Sequence, residues 1–155
     1  MSSVRLRIAS EQDIPVLLGL MEPFNAFEQT LWDAQAKARA LATLLQDATL
    51  GVVGLLVASG GPVGYFVLTW GYDLEWDGRD AFLTELFVEP QARGQGLGKQ
   101  AMNHIEGVAR SYGARALHLM VRNENVVARR LYESHGYVSP PRIFLSKQLD
   151  DRTKS

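Results

Sequence analysis

The run Phe87-Val88-Glu89-Pro90-Gln91-Ala92-Arg93-Gly94-Gln95-Gly96-Leu97-Gly98-Lys99 decides how this chain reads. Its apolar start has the composition of a strand, and Pro90 ends it. Glycines at 94, 96 and 98 then make a turn. Leu97 opens a helical spacing continued by Ala101, Ile105, Val108 and Tyr112, closing at Gly113. A strand that passes through glycines into a helix N-terminus offers unpaired amides and close backbone approach, which is an anion site. The plainer reading is a helix cap and a turn. A P-loop is excluded because Gln100 follows Gly98-Lys99. A dinucleotide fingerprint fits poorly, since Ala114 and Arg115 stand where an acid is expected.

Upstream, residues 4–8 alternate as a first strand. Ser10 and Asp13 form a capping box for a helix with Ile14, Leu17, Leu18 and Met21 on one face, expected to end near Pro23. A second helix is expected to begin after Asp33 and run to about Gln46. Two β-rich runs, 50–58 and 63–70, flank Ser59-Gly60-Gly61-Pro62 and read as an antiparallel hairpin. After a polar connection over 71–80, a strand over 81–88 leads into the glycine turn. Downstream the pattern predicts a strand over 115–121, a helix over 125–134, and terminal strands over 136–138 and 143–145, interrupted by Pro140-Pro141.

The 155 residues suit one domain over 1–149, with a charged, frayed tail over 150–155. Residues 50–59, the most apolar stretch, fall short of the ~20 needed to span a bilayer. With no signal-like N-terminus, a cytoplasmic location is expected. The absence of cysteine excludes disulfides and thiolate chemistry. His104, His118 and His135 lack metal-pair spacing, so no metal is expected. Net charge is −1, but residues 1–90 carry 12 acids against 5 bases and residues 91–130 carry 2 against 7. That asymmetry suggests two kinds of ligand. Overall charge gives no case for nucleic acid.

Together, Arg93-Gly94-Gln95-Gly96-Leu97-Gly98 and Asn125-x-x-Ala128-x-x-Leu131-Tyr132-Glu133-x-x-Gly136-Tyr137 resemble the two signatures of the GNAT superfamily of N-acetyltransferases. The resemblance spans nearly the whole chain. It implies an α/β (α+β) acyl-CoA N-acyltransferase fold, with a mixed, mostly antiparallel sheet of six or seven strands flanked by helices. The sheet would splay between the strands ending at Val88 and Val121. It also implies acetyl-CoA as co-substrate and no metal. The backbone of Leu86, Phe87 and Val88 would take the pantetheine arm, the amides of Arg93, Gly94, Gln95, Gly96, Leu97, Gly98 and Lys99 the pyrophosphate, and Asn125 would support the coenzyme further along.

An amine attacks a thioester only as its free base, while an alkylammonium has a pKa near ~10, so a proton sink is needed. Tyr132, two helical turns after Asn125, matches the superfamily position that donates to the coenzyme sulfur. Glu85, in Leu83-Thr84-Glu85-Leu86-Phe87-Val88, is similar to the acidic strand of diamine acetyltransferases. It is the candidate base, with a structural or substrate-anchoring role as the open alternative. Thr84 replaces the first of that family's two acids, and Met120 stands where a close relative often carries one. Glu28 and Trp32, between the first helices, and Glu75, in an acidic connection with Asp73, Asp77 and Asp80, are candidates for the acceptor side. Core packing or a solvated loop explains them equally. Tyr65, Tyr72, Tyr112 and Tyr137 read as packing residues, and His118 as a strand histidine within reach of the site.

The expected reaction is direct acetyl transfer in a ternary complex to a small cationic primary amine. A protein or peptide acceptor, or a non-catalytic acyl-CoA-binding regulator, is the alternative. Dimerisation is common in this superfamily, so a homodimer is a further expectation, although no exposed heptad supports it.

Overall fold

The computed structural model describes residues 3–152. Half of the expected frayed tail, residues 153–155, therefore lies outside the described residues. The order is β1 (Arg5–Ile8), α1 (Ile14–Glu28), α2 (Ala34–Gln46), β2 (Gly51–Ala58), β3 (Gly61–Asp73), β4 (Gly78–Val88), α3 (Leu97–Ser111), β5 (Leu117–Leu119) and α4 (Val126–Ser134). The strands form one sheet in sequence order. The first three pairings are antiparallel, and β4 runs parallel to β5.

Both faces of the sheet are covered, and the alternation of side chains decides what goes where. Leu56, Phe66, Leu68, Ala81 and Leu83 point to α3, where Leu97, Ala101, Met102 and Ile105 are buried. Val53, Leu55, Tyr65, Val67 and Phe87 point to Leu17, Leu20 and Met21 of α1 and Leu41 of α2. The capping box at the first helix forms as read: Asp13 accepts from the Ser10 N–H at 2.8 Å and takes a two-point ion pair from Arg7.

β3 and β4 run into the connection expected over 71–80, leaving only residues 74–77 between them, and β5 covers three residues of the strand expected over 115–121. Two further expectations fail. The first helix does not stop at Pro23 but continues to Glu28. Pro23 lacks an N–H, yet packing of Phe24 against Tyr65 and Phe87 holds the next turn in place. The buried Asn25 amide adds a bond of 2.8 Å to the Met21 carbonyl. This extra turn carries the Glu28 carboxylate to 4.0 Å from Arg122.

The second correction is the sheet, which has five strands instead of six or seven; among the described residues no strand follows α4. The expected strand at Gly136 is pre-empted by a helix cap. Gly136 adopts φ +88, its N–H bonds the Glu133 carbonyl, and the Tyr137 N–H returns to the Tyr132 carbonyl. Beyond it, Pro140 and Pro141 offer no ladder donors, and the Arg142 N–H turns back onto the Pro140 carbonyl at 2.7 Å. Ile143, Phe144 and Leu145 stay exposed.

Candidate active site

The β4–β5 ladder runs only from Ala81↔Leu117 to Leu83↔Leu119, while β4 continues to Val88. The two strands therefore part after Leu83. Leu86, Phe87 and Val88 lie along the resulting cleft, directly before the glycine turn. Gly94 at φ +77 and Gly96 at φ +74 occupy the left-handed region, and Gly96 is the N-cap of α3. The first amides of α3, those of Leu97, Gly98 and Lys99, have no intrahelical acceptor and carry the positive end of the helix dipole. Arg93, Gly94, Gln95, Gly96 and Lys99 are exposed. The Arg93 side chain is already engaged, donating to the Val88 carbonyl at 2.7 Å and lying over the Phe87 ring. It folds the turn back onto β4.

Gly98 has a different task. A Cβ there would stand 3.0 Å from Leu131, so its absence lets α4 approach α3. Asn125 caps α4, its side chain accepting from the Ala128 N–H at 3.2 Å. Tyr132 lies in the helix's last turns and its ring meets Tyr137 edge-on at 6.1 Å. Tyr137 in turn donates to Glu106 of α3 at 3.0 Å. The Gly136-Tyr137 cap thereby fixes the orientation of Tyr132. Burial, and then the nearby charge of Glu28, push the Tyr132 phenol above the ordinary tyrosine value. Its hydroxyl has no hydrogen-bond partner among the described residues.

Glu85 is aimed by a bulge. The β3–β4 register slips between Val67↔Glu85 and Leu68↔Leu83, leaving Thr84 exposed and unopposed. Glu85 consequently faces the α1 side, where it accepts a 2.7 Å bond from the Tyr65 hydroxyl. The Tyr65 ring is fully buried. Desolvation, with the charge and bond of Glu85, drives its phenol far above the usual range, so it stays a donor. Sequence alone gives Tyr65 no role beyond packing. Tyr65 and Glu85 do lie on paired neighbouring strands, which is a signal, but a bulge decides which β4 residue meets the phenol.

The acceptor-side candidates separate. Glu28 ends α1, with Arg122 at 4.0 Å from its carboxylate, and its charge acts on the Tyr132 phenol. Trp32 is half-buried against the α1–α2 core. Glu75 lies on the β3–β4 connection, held by both terminal nitrogens of Arg142 at 2.8 and 3.0 Å, which keep its carboxyl below its ordinary value. Nothing in the sequence points to that partner, and it takes up the charge expected to attract the acceptor. His118 bonds Asp80 at 3.0 Å. Among the described residues no His, Asp and Glu cluster could hold a metal ion, and no helix is long and apolar enough to cross a membrane.

Residues 17–137 match the Acetyltransferase (GNAT) family. This chain belongs to that family. It is an acetyl-CoA-dependent N-acetyltransferase. It is 30% identical over 145 residues to a thialysine N-epsilon-acetyltransferase of Bos taurus, covering 88% of this chain and 85% of the relative. Among solved structures, an integron cassette protein from the mobile metagenome of Cole Harbour Salt Marsh superposes with a TM-score of 0.84. It is 31% identical and covers 95% of this acetyltransferase and 91% of its own chain. An aminoglycoside N-acetyltransferase solved in complex with CoA superposes with a TM-score of 0.77 over 96% of both chains, and at 19% identity it speaks to fold alone.

Proposed function

We propose that this acetyltransferase acts as a single domain in the cytoplasm and acetylates a small cationic primary amine by direct transfer in a ternary complex. The observation that carries the proposal is the parting of β4 from β5 beside a glycine turn at two left-handed positions. The splayed backbone of Leu86, Phe87 and Val88 suits an extended amide-bearing arm. The amides of residues 93–99 suit its pyrophosphate, and Asn125 orders the turn alongside. Acetyl-CoA, once bound, supplies the activated acetyl thioester.

The chain's residues handle protons and position. Glu85, held by Tyr65, takes the proton that the acceptor ammonium must lose, directly or through one water. Tyr132, kept protonated by burial and by Glu28, donates toward the departing sulfur. Glu28 and Trp32 bound the acceptor side, and the Glu75–Arg142 pair forms its outer rim.

Release of free thiol from acetyl-CoA, measured across polyamines, amino-sugars, amino acids and short peptides, tests the reading. Turnover on one class of small amine, lost in Tyr132→Phe and Glu85→Gln while coenzyme binding survives, supports it. Tight coenzyme binding with no thiol release on any acceptor overturns it.

A further inference from the structure

Arg122 lies just after β5, where neither family signature reaches. Its Nε donates to Glu124 at 2.7 Å, and its NH1 reaches the main-chain carbonyl of Glu28 at 3.2 Å and the Glu28 carboxylate at 4.0 Å. Glu28 is the last residue of α1, so the carbonyl is one that a helix end leaves without an internal partner. A cation there also complements the negative end of the helix dipole. The Arg122 carbonyl accepts from the Asn125 N–H at 2.9 Å, which ties the same residue to the start of α4.

The two ends of this contact belong to opposite lips of the cleft. α1 is fixed to the β4 lip, because Phe24 packs on Tyr65 and Phe87. Arg122 and α4, with Tyr132, belong to the β5 lip. The β4–β5 ladder has already ended at Leu83 and Leu119, so it does not tie the lips together at this level. We infer that Arg122 is a positioning residue: a strut across the cleft mouth that holds the end of α1, and with it the Glu28 carboxylate, against the start of α4 and fixes the acceptor side of the site. Arg122 is 34% exposed and Glu28 30%, so the strut lies at the edge of the entrance and not in the core. A planar guanidinium makes these contacts at once, which a lysine ammonium cannot match in geometry.

The inference rests on the proposed acceptor site, and its test uses the full chain. Arg122→Ala, Glu28→Gln and the double variant are compared for acceptor KM, kcat and coenzyme A Kd, on the amine that shows turnover. Each single variant is expected to raise acceptor KM about tenfold, with coenzyme A Kd within about twofold of the parent. The double variant should be no worse than the worse single one, because Arg122 acts on the acceptor only through the Glu28 carboxylate that Glu28→Gln has already removed. Additive effects, an unchanged KM, or coenzyme A binding that weakens in step with KM overturns the inference. Arg122→Gln, with a donor but no charge, replaces Arg122→Ala if that variant does not fold, with the same expectation.

Amide exchange in the protein without ligands separates this inference from the proposed function. The Gln29 and Thr30 amides bond the Ala26 and Asn25 carbonyls in the cap of α1. In Arg122→Ala their exchange should speed up about tenfold as that turn frays. If no amine is ever acetylated, the proposed function fails while faster exchange still upholds the strut; unchanged exchange removes the strut whatever the activity.

Discussion

The Tyr65 hydroxyl and the Glu85 carboxylate lie 2.7 Å apart, one donor on β3 and one acceptor on β4, with the phenol ring sealed in the α1-side core. Glu85 is thus both the proposed base and the acceptor for a buried hydroxyl. The two roles separate by substitution. Glu85→Gln retains an amide oxygen for Tyr65 and should keep its stability, whereas Glu85→Ala orphans the hydroxyl and should cost about 1–3 kcal/mol. Both should lose turnover by roughly 10²–10⁴-fold. Urea melts beside thiol-release rates check this; equal loss of stability in the two variants would remove the structural half of the assignment.

The glycine turn yields a second expectation. Gly96 caps α3 at φ +74, and a Cβ added there would meet nothing within 4 Å, so Gly96→Ala brings backbone strain and no clash. The strain costs roughly 1–2 kcal/mol. Coenzyme A affinity should fall along with thermal stability, measurable by calorimetry on one preparation. Gly98→Ala should differ, because its added methyl presses on Leu131 and through it on α4. It should disturb kcat through Tyr132 more than coenzyme affinity.

The turn was readable in the sequence because its causes are local: a proline and three glycines within thirteen residues, followed directly by a helical stripe. The same holds for α2, the β2–β3 hairpin and the cap at Ser10. Features that depend on distant partners were not readable. Whether α1 survives Pro23 is settled by Phe24 meeting β3 and β4, not by local propensity. Which face Glu85 takes is settled by a register slip opposite Val67 and Leu68. Gly136-Tyr137 looked like the start of a strand because glycine and tyrosine suit one, yet both act in the α4 cap. Arg142 gave no signal of its pairing with Glu75, 67 residues away.

Three phenols connect the fold to pH. Tyr65, Tyr132 and Tyr137 are all raised above the ordinary value of about 10, each chiefly by burial. The folded state therefore holds these protons where the unfolded chain releases them. Their contribution to stability is complete below about pH 10 and declines as pH rises through the folded values. Urea midpoints should hold level between pH 8 and about 10 and drop above it, with a slope that flattens in Tyr65→Phe, whose phenol is the most strongly shifted. An unchanged slope in that variant would place the alkaline loss elsewhere.

The rim pair gives the last expectation. Arg142 grips Glu75 through two bonds on an exposed surface, and its positive charge offsets the acid that a cationic acceptor would meet at the entrance. Surface pairs of this kind add little to stability, so Arg142→Ala should melt close to the parent. Its effect should be on encounter. Freed of its partner, Glu75 adds to the negative potential, and acceptor KM should fall several-fold at low ionic strength. Salt screens exposed charges over about 8 Å at physiological strength, so the gain should shrink as salt rises. Glu75→Gln should show neither the gain nor its salt dependence. Should Arg142→Ala instead raise KM at every salt concentration, Arg142 touches the acceptor itself, and the rim is part of the binding surface.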